Sequence, residues 1–357
     1  MGKKYQMAAD QKTISEQEKH AAHRRKVARR NTAILVGCVV LLALSFVISM
    51  NTGYTKLSPT DTLRTLFGGG TDKENLILFD FRLPRIVVSI LVGAGLALSG
   101  CLIQGVTKNA LADPGLLGIN AGAGLMVILY VLFFGAQSFL SVFTLPFLAL
   151  FGAGITAVVI YMLAFKKEEG IAPIRLILTG IAIQAGISAL TIVLVVKMDE
   201  TQFNFVATWQ AGSIWGSNWN FVLALLPWLL VLVPYVISKA RVLDVLNMGD
   251  EAAYSLGLPV ERERRSILAA AVALAASSVA VSGSISFVGL IAPHLARRLV
   301  GPRHRILLPT CALTGAVLVS AADTIARVIV QPSEIPTGIM VAIIGAPYFL
   351  YLLAKSR

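Results

Sequence analysis

Apolar residues in this 357-residue chain neither alternate nor recur at a single helical spacing; they come in long runs. Ten runs stand out, at about 31–50, 84–106, 115–134, 139–165, 174–196, 219–238, 266–283, 285–299, 307–330 and 336–354. Most are near the roughly 20 residues that carry a helix across ~30 Å of hydrocarbon at 1.5 Å per residue. They are too long for barrel strands. The pattern predicts an all-α polytopic membrane protein of about ten transmembrane helices. It forms one membrane domain, 31–357, behind a basic tail, 1–30. The run at 285–299 is short and interrupted by Pro293, which suggests a half-helix buried among others.

The segments between the runs give the orientation. With the N-terminus inside, 24 of the 31 Lys and Arg fall on the inner side. Seven fall outside: Lys56, Arg64, Lys73, Arg82, Arg85, Lys197 and Arg327. Positive residues collect on the cytoplasmic face, so both termini are expected in the cytoplasm. The run at 32–50 is longer than the apolar part of a signal peptide and is read as an uncleaved first span. The tail before it is expected to be solvated.

Composition narrows the function. Apolar residues make up 56% and charged residues 14%, against about 25% charged in ordinary soluble domains. The net charge of +12 would suggest nucleic acid in a soluble chain; here it reports orientation, and no nucleic-acid partner is expected. Cys38, Cys101 and Cys311 lie inside apolar runs without metal-ligand spacing and read as small buried hydrophobes. No phosphate loop, paired-cysteine motif or His-Glu-x-x-His appears. His294 follows Pro293 and reads as structural. No acid sits mid-span, which argues against an ion-coupled carrier. Asp323 stands four residues before Arg327, the spacing of an ion pair on one helix face.

Two segments carry candidate interactions. Arg82 and Arg85 flank Pro84 at the outer start of the second run, a close charged pair more like a docking site than a simple anchor. The inner loop at about 240–265 contains a readable short helix. Asp250 and Glu251 suit its first turn, Gly257 its end and Pro259 its stop. Ala252, Ala253 and Leu256 make a small apolar face. So short a helix needs something to pack on, either its own bundle or a groove on a cytoplasmic partner.

Several motifs, in order, carry a resemblance that covers nearly all of 30–357. They are Arg82-Leu-Pro-Arg85, Asn109-Ala-Leu-Ala-Asp-Pro-Gly-Leu-Leu-Gly118, Trp209 with Gly212-Ser213, and Gly249-Asp-Glu-Ala-Ala-Tyr-Ser-Leu-Gly257. Phe287-Val-Gly-Leu-Ile-Ala-Pro-His294, Ala322-Asp323 with Arg327, Glu334-Ile-Pro-Thr-Gly338 and Gly345-Ala-Pro347 follow. Together they resemble the transmembrane permease subunits of type II ABC importers, the iron-siderophore, haem and cobalamin uptake family (FecCD-like).

The resemblance implies a bacterial cytoplasmic-membrane permease that pairs with a second permease, identical or similar, around a central path. Helices 2–5 and 7–10 would be related by an inverted pseudo-two-fold, faintly echoed in Ser99-Gly100 and Ser282-Gly283. An extracytoplasmic binding protein, a lipoprotein or free, would deliver cargo to Arg82, Arg85 and Arg327. A cytoplasmic ATPase dimer would meet a coupling helix at Gly249, Asp250, Glu251, Ala252, Ala253, Tyr254, Leu256 and Gly257. ATP would be used there, so this chain would hold no catalytic residue, cofactor or metal. A gate is expected around 168–173. The implied cargo is an iron-siderophore-type chelate, with haem or cobalamin as alternatives. An ion-coupled secondary transporter is the rival class.

Overall fold

The computed structural model describes residues 2–53, 57–135, 141–166, 170–171, 173–330 and 333–355. In chain order its helices are α1 (Gly2–Asn51), α2 (Pro59–Leu66), α3 (Asp72–Asn75), α4 (Leu83–Thr107) and α5 (Ile119–Phe134). Then come α6 (Ser141–Ala164), α7 (Pro173–Val195), α8 (Glu200–Gln210), α9 (Trp219–Ser238) and α10 (Ala240–Asn247). The last are α11 (Asp250–Ser255), α12 (Val260–Ser282), α13 (Val288–Val300), α14 (His304–Ile329) and α15 (Thr337–Lys355). A minimal antiparallel ladder joins β1 (Phe165–Lys166) to β2 (Gly170–Ile171). Of the expected gate, 168–173, residues 168, 169 and 172 lie outside the described residues.

Every predicted apolar run coincides with a helix. Among the described residues, seven helical stretches are long and apolar enough to cross a membrane, and α5 and 337–351 of α15 are shorter apolar helices. Two elements are longer than expected. The tail is helical and continuous with the first span, in one helix from Gly2 to Asn51. The second span starts earlier, since α3, a π-helical turn at Leu76–Arg82 and α4 form one stretch, Asp72–Thr107. Pro84 is the second residue of α4, directly after the π-helical turn.

α4 is the central helix, packed on α12, α13 and α14. Its apolar window is 78% buried, against 17% for α1 and 11% for α7, which mark the periphery. Glycines set the approach at the centre. A Cβ on Gly93 would lie 2.3 Å from the Gly315 carbonyl oxygen, and one on Gly100 2.0 Å from that of Gly289. Only glycine permits backbones this close in a helix pair.

The expected half-helix is α13, thirteen residues long. The chain breaks before it at 283–287, with Gly283 at φ +67° and Phe287 at φ +69°. Such a break inside a bundle persists where protein surrounds it or a cavity takes its polar groups.

Candidate functional site

Three regions bring polar chemistry together. The first gathers all three arginines named from sequence. Arg85 donates Nη2 and Nε to the Asp323 carboxylate at 2.8 and 3.1 Å, and Nη1 to Glu334 at 2.7 Å. Arg327 makes the expected i,i+4 pair, Nε to Asp323 Oδ2 at 3.3 Å. It also donates to Ser49 Oγ and the Thr52 carbonyl. Thr337 Oγ1 donates to Asp323 Oδ1 at 3.0 Å. Arg82 donates to the Met50 carbonyl.

The cluster therefore ties the ends of α1, α4 and α14 to the segment before α15. None of the three arginines is open to solvent: Arg82, Arg85 and Arg327 are 6, 8 and 6% exposed. Glu334 is the accessible member, its side chain 30% exposed. The sequence placed these residues at one end of the bundle and indicated the Asp323–Arg327 pair; it did not indicate that Asp323 and Glu334 also hold Arg85.

The second region is the short helix, found as read. It begins after Gly249 (φ +116°) and ends at Gly257 (φ +77°), whose N–H reaches the Tyr254 carbonyl at 2.9 Å. Packing on its own bundle is present, and part of the segment is left uncovered. Ala253 is fully buried on the protein's own bundle and Ala252 is half-buried, while Met248, Tyr254 and Leu256 are exposed. Glu251 faces solvent.

Asp250 does more than complement the helix dipole. It accepts from Lys108 Nζ at 3.0 Å and from Arg264 Nη2 at 2.9 Å. Lys108 is the left-handed cap of α4, and buried Arg264 lies on α12. Burial pushes the Asp250 carboxyl up, but the hydrogen bonds and charges of Arg264 and Lys108 outweigh it and hold it below the usual range. The α11 segment is thus pinned to two central helices. Residues 108 and 250 are too far apart in sequence for any local pattern to announce this.

The third region is a polar cleft of about 310 Å³ between α5, α7, the end of α8 and the break before α13. Asn120, Gln184, Ser188, Thr191, Gln210 and Ser284 line it, with Trp209 as a wall. Asn120 Nδ2 donates to Ser284 Oγ at 3.0 Å. No lining residue is charged. Sequence reading left these residues unassigned, although the spacing of Gln184, Ser188 and Thr191 on an apolar helix was the available signal. Polar side chains within a span face the bundle interior or a water-filled cavity.

The three cysteines are free and buried. Among the described residues no three His, Cys, Asp or Glu gather as a metal site. His294 meets the Tyr348 ring edge-on, in keeping with a structural role.

With this geometry in hand, comparison with known proteins is specific. Residues 41–355 match the family model of the FecCD transport family. The chain is 50% identical over 335 residues to the iron(3+)-hydroxamate import system permease protein FhuG of Bacillus subtilis (strain 168), covering 92% of this chain and 99% of that one. It is 46% identical over 329 residues to the Fe(3+)-citrate import system permease protein YfmE of the same organism, covering 92% and 96%. A solved inward-facing metal-chelate type ABC transporter superposes with TM-score 0.80 at 32% identity, over 91% of this chain and 99% of that chain.

Proposed function

The chain belongs to the FecCD transport family, and from that premise we propose that it forms half of an ATP-driven import path for a ferric chelate with oxygen donors. A second permease, identical or similar, completes the path. A binding protein delivers the chelate at the Arg82, Arg85 and Arg327 end. A cytoplasmic ATPase dimer engages 249–257, and its closure tilts the bundle between outward-open and inward-open states. The chain itself does no covalent chemistry. Both termini lie in the cytoplasm, and helices 2–5 and 7–10 form the inverted repeat.

The observation that carries this reading is the short helix α11. Exposed Tyr254 on it, with Met248 and Leu256 beside it, suits insertion into a partner, and Asp250 ties it to α4 and α12 through Lys108 and Arg264. A push on α11 then moves the centre of the bundle rather than a loose loop. The cleft supports the cargo class. Uncharged amide and hydroxyl groups can solvate a chelate's rim in passing without gripping it.

Docking at the arginine end calls for an exchange. A carboxylate on the delivering protein would take over the Arg85 Nη1 now held by the accessible Glu334. Secondary transport finds little support here. Among the described residues Asp323 is the most buried acid, and Arg85 and Arg327 already neutralise it at one end of the bundle, while Asp113 lies in the turn after α4 rather than in a span.

The test is reconstitution of the permease with its ATPase and binding protein in vesicles, followed by uptake of radiolabelled ferric hydroxamate. Uptake should require both ATP and the binding protein. Uptake that survives without ATP and collapses with a protonophore would overturn the proposal.

A further inference from the structure

We propose that the groove between α6, α9 and α12 is a binding site for one anionic phospholipid, with acyl chains in the groove and phosphate on Arg265. The groove has a volume of about 910 Å³. Phe151, Gly154, Val158, Trp228, Leu268 and Val272 line it, and Arg265 is its only charged wall residue. Phe151 and Val158 are 60% and 52% exposed, so the groove opens to the outside of the bundle.

Three observations identify the occupant. The lining is apolar on every wall but one, so water would find too few partners to fill it. In a bilayer the medium against this face is hydrocarbon, and a groove that protein side chains leave empty is filled by lipid chains.

The second observation is length. On α12 the lining runs from Arg265 to Ala276, about 16 Å at 1.5 Å per residue. That matches one leaflet, half of a ~30 Å hydrocarbon core. Arg265 lies in the second turn of α12, at the basic end that also carries Arg262 and Arg264. This is the depth of a headgroup in the leaflet whose chains would fill the groove.

The third is charge. Arg265 is exposed, and among the described residues its one hydrogen bond is Nε to the Glu261 carbonyl of its own helix at 3.3 Å. The rest of the guanidinium is available for a phosphate, which it can grip with two parallel hydrogen bonds. Basic pockets between transmembrane helices take anionic headgroups in this way. The neighbouring Arg264 is committed to Asp250 and Glu261.

Gly154 supplies a clean probe. A Cβ added there meets no atom within 4 Å, so a larger side chain enters the groove without displacing the fold. The whole chain would be placed in nanodiscs of equal phosphatidylcholine and phosphatidylglycerol, then released for native mass spectrometry. Wild type should retain one phosphatidylglycerol, preferred over phosphatidylcholine by about tenfold. Arg265→Gln should abolish the preference but keep lipid, and Gly154→Phe should lose retention of both.

Arg262→Gln removes an equal charge from a residue outside the groove and should change nothing. The proposal fails if Arg262→Gln and Arg265→Gln act alike, since that would be general surface attraction. It also fails if Gly154→Phe retains lipid as wild type does, or if the groove proves to be covered by a second copy, seen as a dimer that Gly154→Phe breaks. Melting temperatures of all three variants in zwitterionic lipid alone, expected to equal wild type, separate misfolding from lost binding. None of these readouts depends on transport.

Discussion

Arg85 holds Asp323 across 238 residues of sequence, with Nη2 2.8 Å from Oδ1 and Nε 3.1 Å from each carboxylate oxygen. The same carboxylate faces Arg327 Nε at 3.3 Å, so one acid balances two guanidinium groups in a nearly dry site. Glu334 supplies the second negative charge from the rim. The cluster is first a clasp that fixes α1, α4 and α14 at one end, and any docking role must work through it.

Removing the shared acid should therefore damage the fold. Asp323→Asn leaves buried arginines short of one charge, and breaking a buried pair costs about 3–5 kcal/mol. The detergent melting temperature and membrane yield should fall sharply. If Asp323→Asn melted with wild type, the clasp would have no structural weight.

Glu334→Gln should behave differently. Its side chain is partly exposed, and surface pairs contribute roughly 1 kcal/mol or less, so stability should barely change. Affinity for the binding protein should rise several-fold, because the internal competitor for Arg85 Nη1 is gone. A surface-immobilised binding assay checks this, and weaker binding by Glu334→Gln would argue against carboxylate exchange. Reversing Arg82 or Arg85 is a poorer docking test, since it disturbs folding as well.

At the other end, Leu256→Asp should leave the isolated permease intact. The side chain is 65% exposed, and surface changes away from special features stay within about 0.5 kcal/mol. Against an ATPase groove the same change costs an apolar anchor, worth more than about 1 kcal/mol at such positions. Permease-stimulated ATP hydrolysis should drop about tenfold. Asp250→Asn should keep the ATPase bound but lower uptake per ATP, since it loosens α11 from Lys108 and Arg264. Unchanged coupling in both variants would remove 249–257 from the mechanism.

Much of this architecture was legible because membranes make helices announce themselves. Apolar length alone located a helix at every run, Gly249, Asp250 and Gly257 marked α11, and Asp323 and Arg327 gave a pair at helical spacing. What escaped was contact between distant segments. Arg85 chooses Asp323 and Glu334, and Lys108 chooses Asp250, through packing that no window of sequence contains. The early start of the second span escaped for another reason: Asp72, Lys73, Glu74 and Asp80 make it look like loop, yet the helix carries them out of the apolar zone. The cleft was half legible, since Gln184, Ser188 and Thr191 share a face of α7 but need Asn120 and Ser284 to make a cavity.

The cleft yields its own expectation. Gln184→Leu exchanges an amide for an isobutyl group of similar size without touching the arginine end or α11. Ferric chelate uptake in vesicles should slow several-fold, about 1 kcal/mol for one lost hydrogen-bonding group, while ATP hydrolysis holds. Equal uptake by Gln184→Leu and Ser188→Ala would place the cargo path elsewhere.

Asp113 sets a pH dependence of opposite sense to an ordinary carboxylate clasp. It precedes the short turn Pro114–Leu117 and accepts the Gly115 N–H at 2.8 Å. Burial pushes its carboxyl up to about 6, and the Gly115 hydrogen bond only partly opposes that. The folded chain thus prefers the neutral acid more than the unfolded chain does, whose value is about 3.9. Folded stability is then greatest near or below pH 4, declines as pH rises to about 6, and is flat above. The decline amounts to at most about 1.4 kcal/mol for each pH unit between the two values. Asp113→Asn keeps an oxygen for the Gly115 N–H but cannot ionise, so it should lack this decline and melt higher than wild type at neutral pH. Melting curves for both proteins between about pH 5 and pH 7 decide the matter. If the wild type gained stability relative to Asp113→Asn as pH rose, Asp113 would instead be an ionised group held by a cationic partner.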